Sequence, residues 1–543
     1  MKKKFDTVAL FLDMSHNGVM TEGALRDFVR LSARMGYNAV MLYMEDVYTV
    51  EGEPYFGYMR GRYTEEELTA VDLYAAELGV EIIPAIQTLG HLGGLGRWRS
   101  KFPMDTDTVL MVGEERTYEL IDKMLASMSR AFRSRRINIG MDEAFDIGRG
   151  KYLDKNGYRS VNDIMKEHLA RVVEIGNKYG YEMQMWSDMF FRPWNGGKYY
   201  IPRKDVPDEI KRSIPDSVRP VYWDYTHSDT DMYRGMIDNH LQLSADSWFA
   251  GGATGWFGFA PFNKYSINVS RAALDACSER GIRNIIVTTW GDNGSECSRY
   301  ALLPSLYFFA QYARGVSDME KIKIGFKRLF GLSFDEFMLL DIPNIVGIGA
   351  EEQWGKSLFN PSKYMLYSDP FMGFMDGTVN LGDREKYKEY AAELDRVAKK
   401  SRKYGYLFKT LARLSDVMEL KYELGVKTME AYLLGDREEL MRLAREEYLP
   451  LVKRVRAFAS AFRDQWLKEN SPFGLEVQEA RLGGLALRIE SCAARLIDYA
   501  AGRSDKIPEL EAEIIQNSDS RGKSALGYYY NDIITLNKVN NVT

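Results

Sequence analysis

The chain has 543 residues, 45% hydrophobic and 27% charged, with 72 Lys and Arg against 77 Asp and Glu for a net charge of −5. That balance is globular, and it excludes a general nucleic-acid binder or a polybasic membrane binder. Three cysteines cannot build a disulfide framework, no CxxC or HExxH run suggests a metal site, and no apolar stretch approaches a bilayer span. A soluble, cytoplasmic protein without cofactor is the expectation.

In chain order, VALFLDMS from Val8 reads as the first strand rather than a leader, because Asp6 and Asp13 bound a short apolar run. Further apolar runs start at Asn38, Val80, Ile137, Tyr181, Val218, Gly252 and Asn284. Helical patterns lie between them, such as ALRDFVRLSARMG and EEELTAVDLYAAELG, each closed by a glycine. Continuous apolar strands separated by helices imply a covered parallel sheet, and a count of eight implies an α/β fold of the closed (β/α)8 TIM-barrel type. The seventh strand is the least fixed, since LQLSADSWFAGGATGW offers more than one place for it. From about residue 316 the pattern changes to charged amphipathic helix, densest from Asp383 to Ile514. The expected division is a barrel over 1–315 and an all-helical C-terminal domain over 316–543, the latter a candidate surface for a homodimer. The last residues, from about Ser518, have weak patterning.

Catalytic groups of such barrels sit at the C-terminal ends of strands. The runs here end in Asp13 and His16; Tyr43 and Glu45; Gln87 and His91; Asp142 and Glu143; Trp186 and Asp188; Tyr222, Trp223, Asp224 and Tyr225; Trp256; and Trp290, Asp292, Asn293 and Glu296. Seven of nine tryptophans precede residue 300. Acids and amphipathic rings without a basic cluster do not suit phosphate, but they suit a sugar, whose ring stacks on indoles while carboxylates take its hydroxyls. Neighbouring strand residues point to opposite sides, so Asp142 and Glu143 reach one substrate only at a frayed strand end. There they cannot straddle a sugar as a retaining acid–nucleophile pair about 5 Å apart.

INIGMDEAFDIG, with QTLGHLGGL upstream and MWSDMFF, VYWDY, FAGGATGWFGF and TTWGDNGSE downstream, resembles glycoside hydrolase family 20, in particular bacterial β-N-acetylhexosaminidases with a helical C-terminal domain. The resemblance implies an exo-acting enzyme that removes terminal GlcNAc or GalNAc from a glycan with retention, through an oxazolinium intermediate. It makes Glu143 the general acid and base and Asp142 the group that holds the acetamido N–H. Tyr225, or alternatively Tyr222, would bond the acetamido oxygen. Trp186, Trp256 and Trp290 would wall the sugar, with Trp223 in a lesser share. Asp292 would take the outer hydroxyls, and His91 and Asp188 would support them. Where the family places an arginine near the end of strand one, Asp13-Met14-Ser15-His16-Asn17 puts His16, a weaker fork for the 3- and 4-hydroxyls. The rivals are a two-carboxylate glycosidase pairing Glu143 with Glu296 or Asp292, and a sugar binder without turnover.

Overall fold

The computed structural model describes residues 5–346, 354–373, 375–515 and 530–535. The chain forms two compact units. The first is Met1–Ala253 with Ser266–Trp290 and Leu306–Ile322; the second is Thr254–Tyr265 with Gly291–Ser305 and Lys323–Thr543.

The first unit is a closed barrel of eight parallel strands: β1 (Thr7–Asp13), β2 (Ala39–Tyr43), β3 (Glu81–Ala85), β4 (Arg136–Asn138), β5 (Glu182–Trp186), β6 (Val218–Trp223), β7 (Trp248–Gly252) and β8 (Asn284–Thr289). Each strand pairs with the next, and β8 closes on β1 with Ala9 opposite Ile286 and Phe11 opposite Thr288. Alternate residues point inward, so Ala9 and Phe11 of β1, Ala39, Met41 and Tyr43 of β2, and Ile83 and Ala85 of β3 share one core with Trp186, Val221, Trp248, Ala250 and Ile286. The alanines make room for the large rings at the same level. Trp223 and Trp290 pack on top of this core.

The outer helices start and stop where the chain provides partners for their ends. Thr21 caps Glu22–Met35, which ends at Gly36 with φ 108°, a left-handed conformation that suits glycine. Thr64 and Glu67 form a reciprocal capping box on Glu65–Glu77. The seventh strand departs from the expected start at Gly252: it occupies Trp248–Gly252, four residues earlier. The bulky Trp248 and Phe249 can fill the barrel wall, whereas the glycine-rich run after Gly252 cannot, and from Thr254 the chain joins the second unit.

The second unit is built around long helices over Arg384–Ala398, Gly405–Lys421, Leu449–Glu469 and Leu475–Ala500. The 254–265 and 291–305 segments are tied into it. Phe259 packs edge-on to Phe458 and Phe462, and Ser298 Oγ donates to Glu469 at 2.6 Å. A short helix, Tyr530–Ile534, is described near the C-terminus. The weakly patterned segment beginning at Ser518 otherwise lies outside the described residues. Among the described residues no helix is long and apolar enough to cross a membrane.

Candidate active site

The site is set by what β4 does after only three residues. Asn138 Oδ1 accepts from Gly140 N–H at 2.8 Å, which turns the chain out of the sheet. Gly140 has φ 73°, and a Cβ there would meet Gln87 Oε1 at 2.1 Å, so no larger residue fits. Gln87 Oε1 instead accepts from Met141 N–H at 3.0 Å, and Asp188 accepts from Glu143 N–H at 3.1 Å. Both Met141 (φ 70°) and Glu143 (φ 46°) are held left-handed, as are Glu45 (φ 32°) and His91 (φ 54°) on neighbouring loops. Such backbone costs on the order of 1–3 kcal/mol per residue and persists only where the surroundings enforce it. The result cancels strand alternation. Asp142 Oδ2 and Glu143 Oε2 lie 3.4 and 3.8 Å from the same atom, Nε2 of His91.

Asp142 is the better anchored of the two. Its Oδ1 accepts from Gln87 Nε2 at 2.6 Å, and the same amide donates to the Tyr43 hydroxyl at 3.0 Å, which in turn donates to Glu45 at 3.0 Å. Burial pushes the Asp142 carboxyl upward. The His91 charge and the hydrogen bonds from His91 and Gln87 outweigh that and hold it below the ordinary aspartate value. Burial alone would lower His91, but Asp142, Glu45 and Glu143 raise it to about 10. Asp142 is therefore an anion beside a cation at neutral pH. Burial raises Asp188 to about 7, with the Asp142 charge adding to it and the Glu143 N–H and Arg192 opposing. Burial likewise raises Glu45 to about 7, against His16 and His91.

Glu143 is the open member of the pair, with 37% of its side chain exposed. Arg192 approaches it, with Nη2 at 3.7 Å from Oε1, while Nε lies 3.4 Å from Asp188 Oδ2. The strand-end residues offered acids and rings, and this cation was not among them. Arg192 lies in a short 3-10 turn beyond Asp188–Phe191, one turn past the strand end, where only the spacing Asp188 to Arg192 hinted at a pair. Gln87, Tyr43 and Glu45 stood at strand ends but had no role until their chain to Asp142 was visible.

Aromatic rings floor the barrel mouth. Trp186 is buried against Phe11 (5.7 Å) and Trp290 (5.9 Å), and Trp290 also meets Phe11 at 4.7 Å and Tyr43 at 5.1 Å. Tyr225 stacks on Trp223 at 5.5 Å, hydrogen-bonds Trp290 and Thr288, and faces the charges of Asp142 and Glu143. Tyr222 is committed elsewhere: its hydroxyl donates to the buried Asp224 at 2.6 Å, and its ring stacks on His240. At the end of β1, Asp13 is fully buried and binds Ser15 Oγ at 2.7 Å and His16 Nδ1 at 2.6 Å. The His16 imidazole is thus a carboxylate-paired group.

The barrel unit thereby brings together Asp142, Glu143, His91, Asp188, Trp186, Trp290 and Tyr225. Trp256 and Asp292, which follow β7 and β8 in the chain, belong to the second unit. So does Glu296, which is buried there with Lys363 Nζ at 2.6 Å and Arg481 Nη1 at 3.4 Å. A carboxylate fully engaged by two cations is a poor nucleophile, which weakens the two-carboxylate rival that uses it.

A closed parallel barrel with contiguous acids at the end of β4 and packed aromatic rings across its mouth defines a barrel protein with a carboxylate-and-aromatic site. Two family models match it: the glycosyl hydrolase family 20 catalytic domain over residues 46–204, and the Glycoside Hydrolase 20C C-terminal domain over residues 335–527. The chain belongs to glycoside hydrolase family 20. The catalytic-domain match includes His91, Asp142, Glu143, Trp186, Asp188 and Arg192. Hexosaminidase D of Bos taurus is 24% identical over 242 residues, covering 41% of this chain and 64% of that protein. Beta-hexosaminidase of Vibrio furnissii is 30% identical over 148 residues, covering 24% of each. The chain therefore spans less than two thirds of the length of either relative. The crystal structure of a beta-N-acetylhexosaminidase from Bacteroides fragilis has 17% identity and a TM-score of 0.42, covering 56% of this chain and 65% of that one.

Proposed function

We propose that this protein is an exo-acting β-N-acetylhexosaminidase that removes terminal GlcNAc or GalNAc from glycans with retention. The observation that carries the reading is the placement of two consecutive carboxylates within 4 Å of one imidazole nitrogen. Groups so placed lie on one side of a substrate. They suit a reaction in which the nucleophile comes from the sugar itself, an exception to the two-carboxylate scheme.

In the first step the acetamido carbonyl oxygen attacks C1, the C1–O bond breaks, and Glu143 gives its proton to the departing oxygen. The Asp142 carboxylate, fixed by Gln87, holds the acetamido N–H and balances the positive charge that forms on the oxazolinium ring. Tyr225 bonds the acetamido oxygen and orients it. In the second step Glu143, now a carboxylate, takes a proton from the water that attacks C1, and the ring opens to the retained product. Trp186, Trp290 and Trp223 exclude water from the acetamido group. The shares of Trp256 as a wall and of Asp292 on the outer hydroxyls rest on the family resemblance. Asp13 and His16 would serve the 3- and 4-hydroxyls. We also propose a cytoplasmic enzyme, in keeping with the free Cys277, Cys297 and Cys492, and a homodimer through the helical region, which fractionation and sedimentation equilibrium test.

The test is turnover of aryl 2-acetamido glycosides of gluco and galacto configuration against plain aryl glucosides, with a thiazoline as inhibitor. Hydrolysis of the acetamido substrates alone, with tight thiazoline inhibition, is expected. Equal turnover of plain glucosides would overturn the reading, and ligand binding without turnover would leave a sugar binder.

A further inference from the structure

We infer that Phe145 is the platform of an aglycone subsite, recognising leaving groups that are themselves pyranose rings. The inference rests on Glu143 being the acid, because whatever that acid protonates must lie beside it. Phe145 stands two residues on, and a tight turn, in which Phe145 N–H donates to the Glu143 carbonyl at 2.7 Å, keeps it next to the acid. Its ring is 55% exposed in a barrel whose other phenylalanines are largely core.

The ring has a fixed support. The Arg192 guanidinium lies 5.0 Å from the Phe145 centroid and is held by Asp188 through Nε at 3.4 Å and by the Gly197 carbonyl through Nη1 at 3.3 Å. The same guanidinium reaches to 3.7 Å from Glu143 Oε1. Acid, cation and exposed ring thus form one continuous patch. A cation–aromatic pair of this kind orders one face of the ring and leaves the other for a ligand. A flat apolar surface suits the C–H face of a second sugar. The ring should strengthen binding of a sugar leaving group and do nothing for a leaving group that lacks a ring.

Phe145→Ala, measured with two substrates of the same non-reducing sugar, tests this. One is a β-linked disaccharide, and the other is the methyl β-glycoside, which needs the acid equally but has no second ring. Loss of one stacking contact predicts a KM for the disaccharide raised roughly three- to tenfold with the methyl glycoside within twofold. Phe145→Trp should keep the disaccharide KM at or below wild type. Parallel losses on both substrates would mean that Phe145 acts through Glu143 or the fold, and no change on either would mean that the ring is idle; each overturns the inference alone. If the wild-type protein hydrolyses neither glycoside, the hexosaminidase reading falls and the subsite falls with it.

Discussion

Replacing His91 by alanine removes the cation that faces both carboxylates, and the structure gives the size of the effect. The imidazole lies 3.4 Å from Asp142 and 3.8 Å from Glu143, and neighbouring carboxylates raise it to about 10, so it is charged through the neutral range. Unit charges about 4 Å apart interact by about 1 kcal/mol in bulk water and about 4 kcal/mol at the effective dielectric of a partly buried site. At about 1.4 kcal/mol per pH unit, losing His91 should raise the Asp142 carboxyl by roughly one to three units. In the proposed mechanism Asp142 holds the acetamido group as an anion, so the acid limb of kcat/KM should move upward by that amount, with the activity loss greatest at low pH. The assay is a pH–rate profile of wild type and His91→Ala on an aryl 2-acetamido glycoside. The paired groups also make a stability prediction. His91 is raised on folding, so its contribution is full below its unfolded pKa of about 6.5 and is lost as pH rises through about 10. Thermal melts of wild type and variant should therefore converge at alkaline pH. An acid limb that stays in place would refute the electrostatic account of His91.

Glu143→Gln should cost about 10²- to 10⁴-fold on poor leaving groups and far less on good ones, which a series of aryl and alkyl glycosides measures. Glu45 is raised to about 7, so its proton stabilises the fold below its unfolded value near 4.5 and is lost as pH rises through 7. Glu45→Gln should accordingly raise the melting temperature at pH 8 more than at pH 5. His16→Arg should improve the gluco over galacto preference by supplying a forked donor; a charge-assisted bond is worth roughly 1.5–3 kcal/mol, and unchanged ratios would assign the grip elsewhere. Lys363→Met should leave Glu296 with Arg481 as its remaining cation and destabilise the second unit by roughly 3–5 kcal/mol in a denaturant titration.

The barrel was legible because its strands carry unbroken apolar runs and its helices carry caps, two signals that local chemistry imposes on sequence. β7 was displaced because the glycine-rich GGATG run blurs where the apolar run begins, and only pairing with β6 and β8 selects Trp248–Gly252. The strand ends put Asp142, Glu143, His91 and Trp186 at the barrel rim, since that position is a sequence property. They do not reveal Arg192, which the short turn after β5 brings within 3.7 Å of Glu143. Nor does a strand-end position distinguish Tyr222 from Tyr225; the structure shows that Asp224 accepts from the Tyr222 hydroxyl. The left-handed backbone at Met141 and Glu143, which lets adjacent acids share one face, has no residue signature because neither is glycine.

The most direct test of the mechanism is the rate of aryl glycosides whose 2-acetamido group carries none, one, two or three fluorines. Each fluorine weakens the carbonyl oxygen as a nucleophile while leaving the glycosidic bond and its leaving group unchanged. A sugar-supplied nucleophile, oriented by Asp142 and Tyr225, predicts a kcat that falls steeply with every fluorine added. A kcat indifferent to fluorination would contradict it.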